Sequence, residues 1–213
     1  DYVIIANPDI HVPPRCIRRV KDALDKTQGA VAASARVKDP MGGELFSYWT
    51  LLPLWKDLLD TGLVTRRLFK AMLNTPSYRL AYAGDEDCRL VDAVPGSFFM
   101  LKTGILTPGE IKEVFDKHIF LYYEEKVLGQ KFRKMGLKTV LVTDESYVHA
   151  HSVSIDKSFK RIVDKQRLLH RSKLYYYKEY LGTGPAGMAA ARAVLGLVLA
   201  EVWFLTVVCR MRW

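Results

Sequence analysis

The first hydrophobic segment, Tyr2-Val3-Ile4-Ile5-Ala6, is short, unbroken and stopped by Asn7-Pro8-Asp9. An unbroken β-branched run predicts a strand covered on both faces, as in a parallel sheet. Pro13-Pro14 predict the start of a helix running to about Lys26, because proline fits a first helical turn. Gly29 follows it, and Ala30–Val37 reads as the next strand. This β-α-β order predicts an α/β sheet. Between residues 40 and 88 the pattern is less regular. Leu45 to Trp55 is rich in aromatics and Leu, and Trp55 to Leu73 has helical spacing with Arg66, Arg67 and Lys70 on one side, so a loop and one or two helices are predicted. Further strands are predicted over Arg89–Val94 and Ser97–Lys102, on either side of Pro95-Gly96, and over Leu137–Val142. Glu110–Asp116 and Glu124–Met135 read as helices, the second stopped by Gly136. A long basic amphipathic helix is predicted over Ile155–Leu181, ended by Gly182, and an apolar helix over Ala186–Cys209. The pattern thus divides at residue 154: residues 1–154 form an α/β domain and residues 155–213 a helical tail.

Composition narrows the class. The chain has 213 residues, 49% hydrophobic and 26% charged, which excludes disordered, collagen-like and disulfide-stapled proteins. Three cysteines, Cys16, Cys88 and Cys209, have neither zinc nor paired spacing, as expected for a reducing compartment. The net charge is +9, and +7 of it lies in the last 58 residues. Because the excess sits on one amphipathic helix beside an apolar one, with no nucleic-acid motif, nucleic acid is not an expected partner.

Three segments could carry chemistry. Asn7-Pro8-Asp9 follows a strand, and ligands in open α/β sheets bind beyond strand carboxyl ends, where Asp9 could hold a divalent metal against a phosphate. The same residues are also common turn formers. Glu124-Glu125 sits at a predicted helix N-terminus, which stabilises negative charge and could hold one acid ionised as a general base. Acidic residues there are also favourable caps without any function. His149 and His151 point to opposite faces of an extended segment, so at most one faces a given site. Either could equally be a core or surface histidine.

Taken in order, Asn7-Pro8-Asp9, Val94-Pro95-Gly96-Ser97-Phe98-Phe99-Met100-Leu101-Lys102, Phe120-Leu121-Tyr122-Tyr123-Glu124-Glu125 and His149-Ala150-His151-Ser152 resemble the family 2 inverting glycosyltransferases. Within that family the pattern looks like bacterial rhamnosyltransferases that build cell-surface polysaccharide on a lipid carrier. Arg171-Ser172-Lys173-Leu174-Tyr175-Tyr176-Tyr177-Lys178 before Leu181-Gly182 looks like that subgroup too, so the resemblance covers roughly residues 1–182. It implies a GT-A fold, a mixed sheet flanked by helices, and transfer of a sugar from a nucleotide-sugar donor to a lipid-linked glycan acceptor.

The resemblance also implies residue roles. Asp9 would bind Mg²⁺ or Mn²⁺ on the donor diphosphate, with Asn7 replacing the first acid of the family's Asp-x-Asp. His149 would be the later metal ligand, with His151 as the fallback, and Gly96 and Ser97 would line the acceptor side. Glu125 would be the general base and Glu124 a supporting acid. A GT-A domain carries a strand and loop for the base and ribose ahead of its metal motif. With that motif at residues 7–9, the N-terminal part is expected to be missing, and the chain alone to bind nucleotide sugar weakly or not at all. Two departures from the family pattern, Glu125 for the usual Asp and Lys126-Val127 in a commonly acidic stretch, keep open a second reading. That reading is a catalytically inactive interaction subunit using its helical tail to bind membrane or a partner.

Residues 156–213 are expected to meet the membrane surface on its cytoplasmic face, with the basic helix against anionic lipid. Its bland alternative is a solvated face. Ala186–Cys209 is long enough to span a bilayer, but Glu201 near its middle would cost about 3 kcal/mol there. A helix lying on the membrane, or packing on a partner or a second copy, is therefore expected rather than a clean span.

Overall fold

The computed structural model describes residues 1–69, 87–119, 121–150 and 162–210. They form two compact units, the first from residues 1–51, 87–118 and 124–150, the second from 52–69, 119, 121–123 and 162–210.

The first unit is α/β. Its strands are β1 (Tyr2–Ala6), β2 (Ile10–His11), β3 (Ala30–Lys38), β4 (Cys88–Val91), β5 (Phe98–Lys102) and β6 (Lys138–His149). They make one mixed sheet in the order β1-β5-β3-β6-β2, with β4 pairing the first half of β6. Among the described strands, only β3 and β6 run parallel and the other pairings are antiparallel. Helix α1 (Pro14–Lys26) covers one face and α5 (Glu124–Lys134) the other. The alternation of β5 shows why two cores form. Phe98 and Met100 point to the face packed by Cys16, Val20 and Leu24 of α1, while Phe99 and Leu101 point to the face packed by Leu128 and Phe132 of α5. Small residues along β3 (Ala30, Ala32, Ala33, Ala35), all buried, admit helices on both sides. α4 (Pro108–Glu113) opens on a capping box between Thr107 and Glu110.

Two expectations about strands are corrected. β1 is not covered on both faces: it is an edge strand paired only with β5 among the described strands, with Val3 48% and Ile4 45% exposed. An apolar run reports composition and not the number of neighbours. β6 extends to His149 rather than ending at Val142, because residues 143–145 form a bulge between the Ala35–Val142 and Arg36–Ser146 pairs. Arg19 pairs with Asp144 at 2.8 Å and Arg15 with Glu145 at 2.6 Å, so α1 holds the bulge.

A close approach fixes α5. A Cβ on Gly129 would stand impossibly near the backbone carbonyl of Asp92, whose carboxylate is itself bonded to Leu51 N and Arg133. Gly129→Ala is expected to cost about 1–3 kcal/mol through overpacking, read as a lowered midpoint in thermal or urea unfolding.

The second unit is helical: α2 (Leu54–Leu59), α3 (Leu63–Leu68), α6 (Ile162–Glu179) and α7 (Pro185–Trp203). Residues 155–161 of the predicted basic helix lie outside the described residues. Gly182, at φ 62°, turns the chain between α6 and α7, which pack together. The buried stripe of α7, Met188, Ala191, Leu195, Val198 and Val202, has helical spacing. Its other side is also apolar: Leu197 is 72% exposed, and Trp203, Phe204, Val207 and Val208 are exposed too. Pro185–Val208 is long and apolar enough to cross a membrane. The Glu201 carboxylate accepts from Leu63 N at 3.3 Å and Val64 N at 3.0 Å, so it caps α3. On α6, Tyr176, Tyr177 and Lys173 are buried, so Lys173 is not part of the solvated basic face.

Candidate active site

The segments singled out in the sequence meet at one end of the sheet in the first unit. The β1–β5 ladder ends at Ala6 opposite Phe98, and Asn7 N then donates to Ser97 O at 2.8 Å. This joins the Asn7-Pro8-Asp9 turn to the Gly96-Ser97 loop. Directly after this turn the chain crosses to β6: Ile10 pairs with His149, and Ala150 N donates to Asp9 O at 3.0 Å. The result is an Asp9 Oδ1 to His149 Nε2 separation of 3.4 Å. His149 is buried and Asp9 half-buried, whereas Asn7 is exposed.

The acid pair sits beside the same loop. A Cβ on Gly96 would lie 3.8 Å from Glu124 Cγ, an ordinary contact distance. Glu124 is exposed and Glu125 half-buried, and both open α5. Burial pushes the Glu125 carboxyl up, to about 7, with the Glu124 charge adding to the rise; its own backbone N–H and Lys126 act against it. Desolvation also raises Glu124 above the ordinary carboxylate value. At neutral pH Glu125 can therefore accept a proton, and its neighbour helps set where it does so.

Ser97 plays a part the sequence did not signal. It is buried, and its Oγ lies 2.7 Å from the hydroxyl of Tyr147, which is fully buried against Phe98 with ring centroids 5.1 Å apart. Tyr147 and His149 lie two residues apart on β6, so one strand face supplies both the anchor of the loop and the imidazole. The period-two spacing was legible; that β6 continues through residues 143–145 was not.

A divalent cation fits the Asp9–His149 pair. One carboxylate oxygen and one imidazole nitrogen 3.4 Å apart can share an ion, the remaining positions going to diphosphate oxygens and water. No group of three His, Cys, Asp or Glu suited to a metal occurs among the described residues. His151 lies outside the described residues.

No protein-family model matches the chain. Two curated relatives are similar to it, the N-acetylglucosaminyl-diphospho-decaprenol L-rhamnosyltransferases of Mycobacterium tuberculosis strains CDC 1551 / Oshkosh and ATCC 25618 / H37Rv. Each is 28% identical over 160 residues, 73% of this chain and 50% of the relative. The chain spans about half the length of these relatives.

Proposed function

We propose that the chain is part of a metal-dependent, inverting glycosyltransferase of GT-A fold. It moves a sugar, rhamnose in the first instance, from a nucleotide-sugar donor to a lipid-linked glycan acceptor in cell-surface polysaccharide synthesis. The observation that carries this reading is the convergence of segments from residue 7 to residue 149 on one sheet end: the Asp9–His149 pair, the Gly96-Ser97 loop and the Glu124-Glu125 pair. The two mycobacterial relatives support the sugar and the acceptor class.

Asp9 and His149 would hold Mg²⁺ or Mn²⁺. A cation there supplies charge neutralisation for the leaving diphosphate. Glu125 removes the proton from the acceptor hydroxyl as its oxygen bonds to the anomeric carbon; the carbon–diphosphate bond breaks on the opposite face, inverting the centre. Glu124 holds the charge balance that keeps the Glu125 proton exchangeable near neutrality, and Gly96 leaves room beside it for the acceptor. Ser97 keeps the loop in place through Tyr147. The decisive test mixes Mn²⁺, nucleotide-linked rhamnose and N-acetylglucosaminyl-diphospho-polyprenol with the purified protein carrying a donor-binding strand and loop ahead of residue 7, beside residues 1–213 alone, from which little transfer is expected. Mass spectrometry should find a lipid carrying one added deoxyhexose with the first form; no transfer by that form from this or any other nucleotide sugar would sink the proposal.

The acceptor's lipid places the reaction at a membrane, on the cytoplasmic face in this reading. The exposed apolar side of α7 supports that placement, and the engagement of Glu201 with α3 lowers the cost of bringing α7 to lipid. Leu197→Glu with Trp203→Glu should reduce co-sedimentation with anionic phospholipid vesicles at least tenfold while the unfolding midpoint stays put. Undiminished vesicle binding would refute it.

A further inference from the structure

The second unit carries a polar stripe along α6 that the proposed reaction does not use. Gln166, His170, Lys173 and Tyr177 follow one another at intervals of four, three and four residues, so they share one face of the helix. The C-terminal half of the stripe is well bonded. Asp57 on α2 is 1% exposed, and its Oδ2 accepts from the hydroxyls of Tyr123 and Tyr177, each at 2.5 Å, and from Lys173 Nζ at 3.0 Å. Lys173 also donates to the Asp57 backbone oxygen and to Thr61 Oγ1.

The N-terminal half is not. His170 is 7% exposed, and its Nε2 is sealed from solvent with no hydrogen-bond partner. One turn earlier, Gln166 Oε1 is sealed and unbonded in the same way. Buried polar atoms are nearly always bonded, because an unbonded one carries its desolvation penalty without return. The chemistry of the pair limits what could bond it. Gln166 Oε1 only accepts, and a neutral imidazole nitrogen either donates or accepts. Burial, and after it the Lys173 charge, lowers His170 to about 4, so the ring is uncharged near neutrality. Lys173 and Asp57 on the same face are engaged with each other, so a charged ligand would find no counter-ion in them. An uncharged group bearing hydroxyls fits. Residues four apart on a helix stand about 5–6 Å apart at Cβ, a span that adjacent hydroxyls of a sugar ring can bridge.

We propose that Gln166 and His170 form a binding site for an uncharged sugar, one hydroxyl donating to Gln166 Oε1 and its ring neighbour bonding His170 Nε2. Both residues belong to the second unit, and the glycosyltransferase reading enters only in the choice of probes.

The test titrates the full chain with methyl α-L-rhamnoside, methyl β-N-acetylglucosaminide and glycerol. Binding is read by saturation-transfer NMR on the probe and by the nitrogen-15 resonance of His170 Nε2. At least one glycoside is expected to bind saturably at millimolar concentration and to move that resonance, and glycerol is not. Which glycoside binds distinguishes the sugar being transferred from the sugar of the acceptor. Gln166→Leu and His170→Phe should each weaken saturation transfer to that glycoside at least about tenfold. Their unfolding midpoints should stay level or rise, since an apolar group of similar shape removes an unbonded polar atom. Should one variant fail to fold, the other decides. No saturable response to either glycoside, an equal response to glycerol, or unchanged binding in the variants would overturn the proposal and leave the pair bridged by water alone. Sugar transfer plays no part in these readouts, so an inactive chain would sink the glycosyltransferase reading and leave this one to be decided by binding.

Discussion

Replacing Glu125 by Gln is expected to abolish sugar transfer, by at least about a thousandfold in kcat, while making the protein more stable at pH 8. Both effects come from the same burial. Gln cannot take the acceptor proton, and proton transfer by a positioned base contributes on the order of 10²–10⁴-fold. The Glu125 carboxyl is raised to about 7 from an ordinary value of 4.5, first by desolvation and then by Glu124. Between those values the native chain keeps a proton that the unfolded chain has released. The associated stabilisation is therefore full below 4.5 and is lost as pH rises through about 7. At pH 8 the wild type carries the cost of an ionised, half-buried carboxylate beside a second acid, and the amide does not. Discounted for its partial exposure, the gain at pH 8 should be about 1–2 kcal/mol, vanishing at pH 4. Thermal unfolding across pH 4–8 checks it, together with transfer rates that rise toward pH 7 in the wild type. Retained transfer in Glu125→Gln would move the base elsewhere; equal stability at pH 8 would mean the carboxyl is not buried in solution.

How much of this was legible in the sequence depends on whether the deciding contact is local. α1 begins at Pro14 and ends at Lys26 as its Pro13-Pro14 start and Gly29 stop predicted, and α5 begins at Glu124 and ends just short of Gly136. In these helices the signals lie within a turn of the boundary. β1 was readable as a strand but not as an edge, because its sole described partner, β5, is some ninety-six residues away. The two-residue β2 has no signal of its own and exists because β6 reaches far enough to pair with it. Thr143-Asp144-Glu145 has the composition of a turn. It continues a strand because Arg15 and Arg19, distant in sequence, satisfy its carboxylates.

The site follows the same division. Asp9, Gly96, Glu124, Glu125 and His149 carry side chains whose type announces chemistry, and the sheet brings their segments together. Tyr147 and Asp57 do not announce themselves. An Asp between Lys56 and Leu58 in a short helix reads as a solvent-facing residue, and Lys173 within a basic run reads as one more surface charge. Only the fold shows that each neutralises the other inside a helical unit. Buried polar pairs are invisible to periodicity, because each partner alone looks misplaced.

Asp9→Ala is expected to be as damaging as the loss of the base, for a different reason. The Asp9 carboxylate and the His149 imidazole are held 3.4 Å apart by backbone: Ile10 pairs with His149, and Ala150 N bonds Asp9 O. Neither group depends on the other for its position, so removing the Asp9 side chain should leave the strands intact and subtract a donor. A two-donor site binds a cation weakly until diphosphate oxygens complete the coordination. The measurement is therefore Mn²⁺ binding, by electron paramagnetic resonance, with inorganic pyrophosphate present and absent. Pyrophosphate should tighten Mn²⁺ binding in the wild type at least tenfold. Asp9→Ala should remove that coupling and lower transfer about a thousandfold, and His149→Ala should weaken it about tenfold, since the carboxylate carries the charge. Chelation should stop transfer and added Mn²⁺ restore it. His151→Ala, the alternative ligand, should leave Mn²⁺ binding unchanged if His149 holds the role. Mn²⁺ binding indifferent to both Asp9→Ala and pyrophosphate, with transfer that survives chelation, would leave the pair as a structural contact between β2 and β6. Transfer would then need another source of charge for the leaving diphosphate, and the exposed Asn7 beside Asp9 supplies only neutral donors.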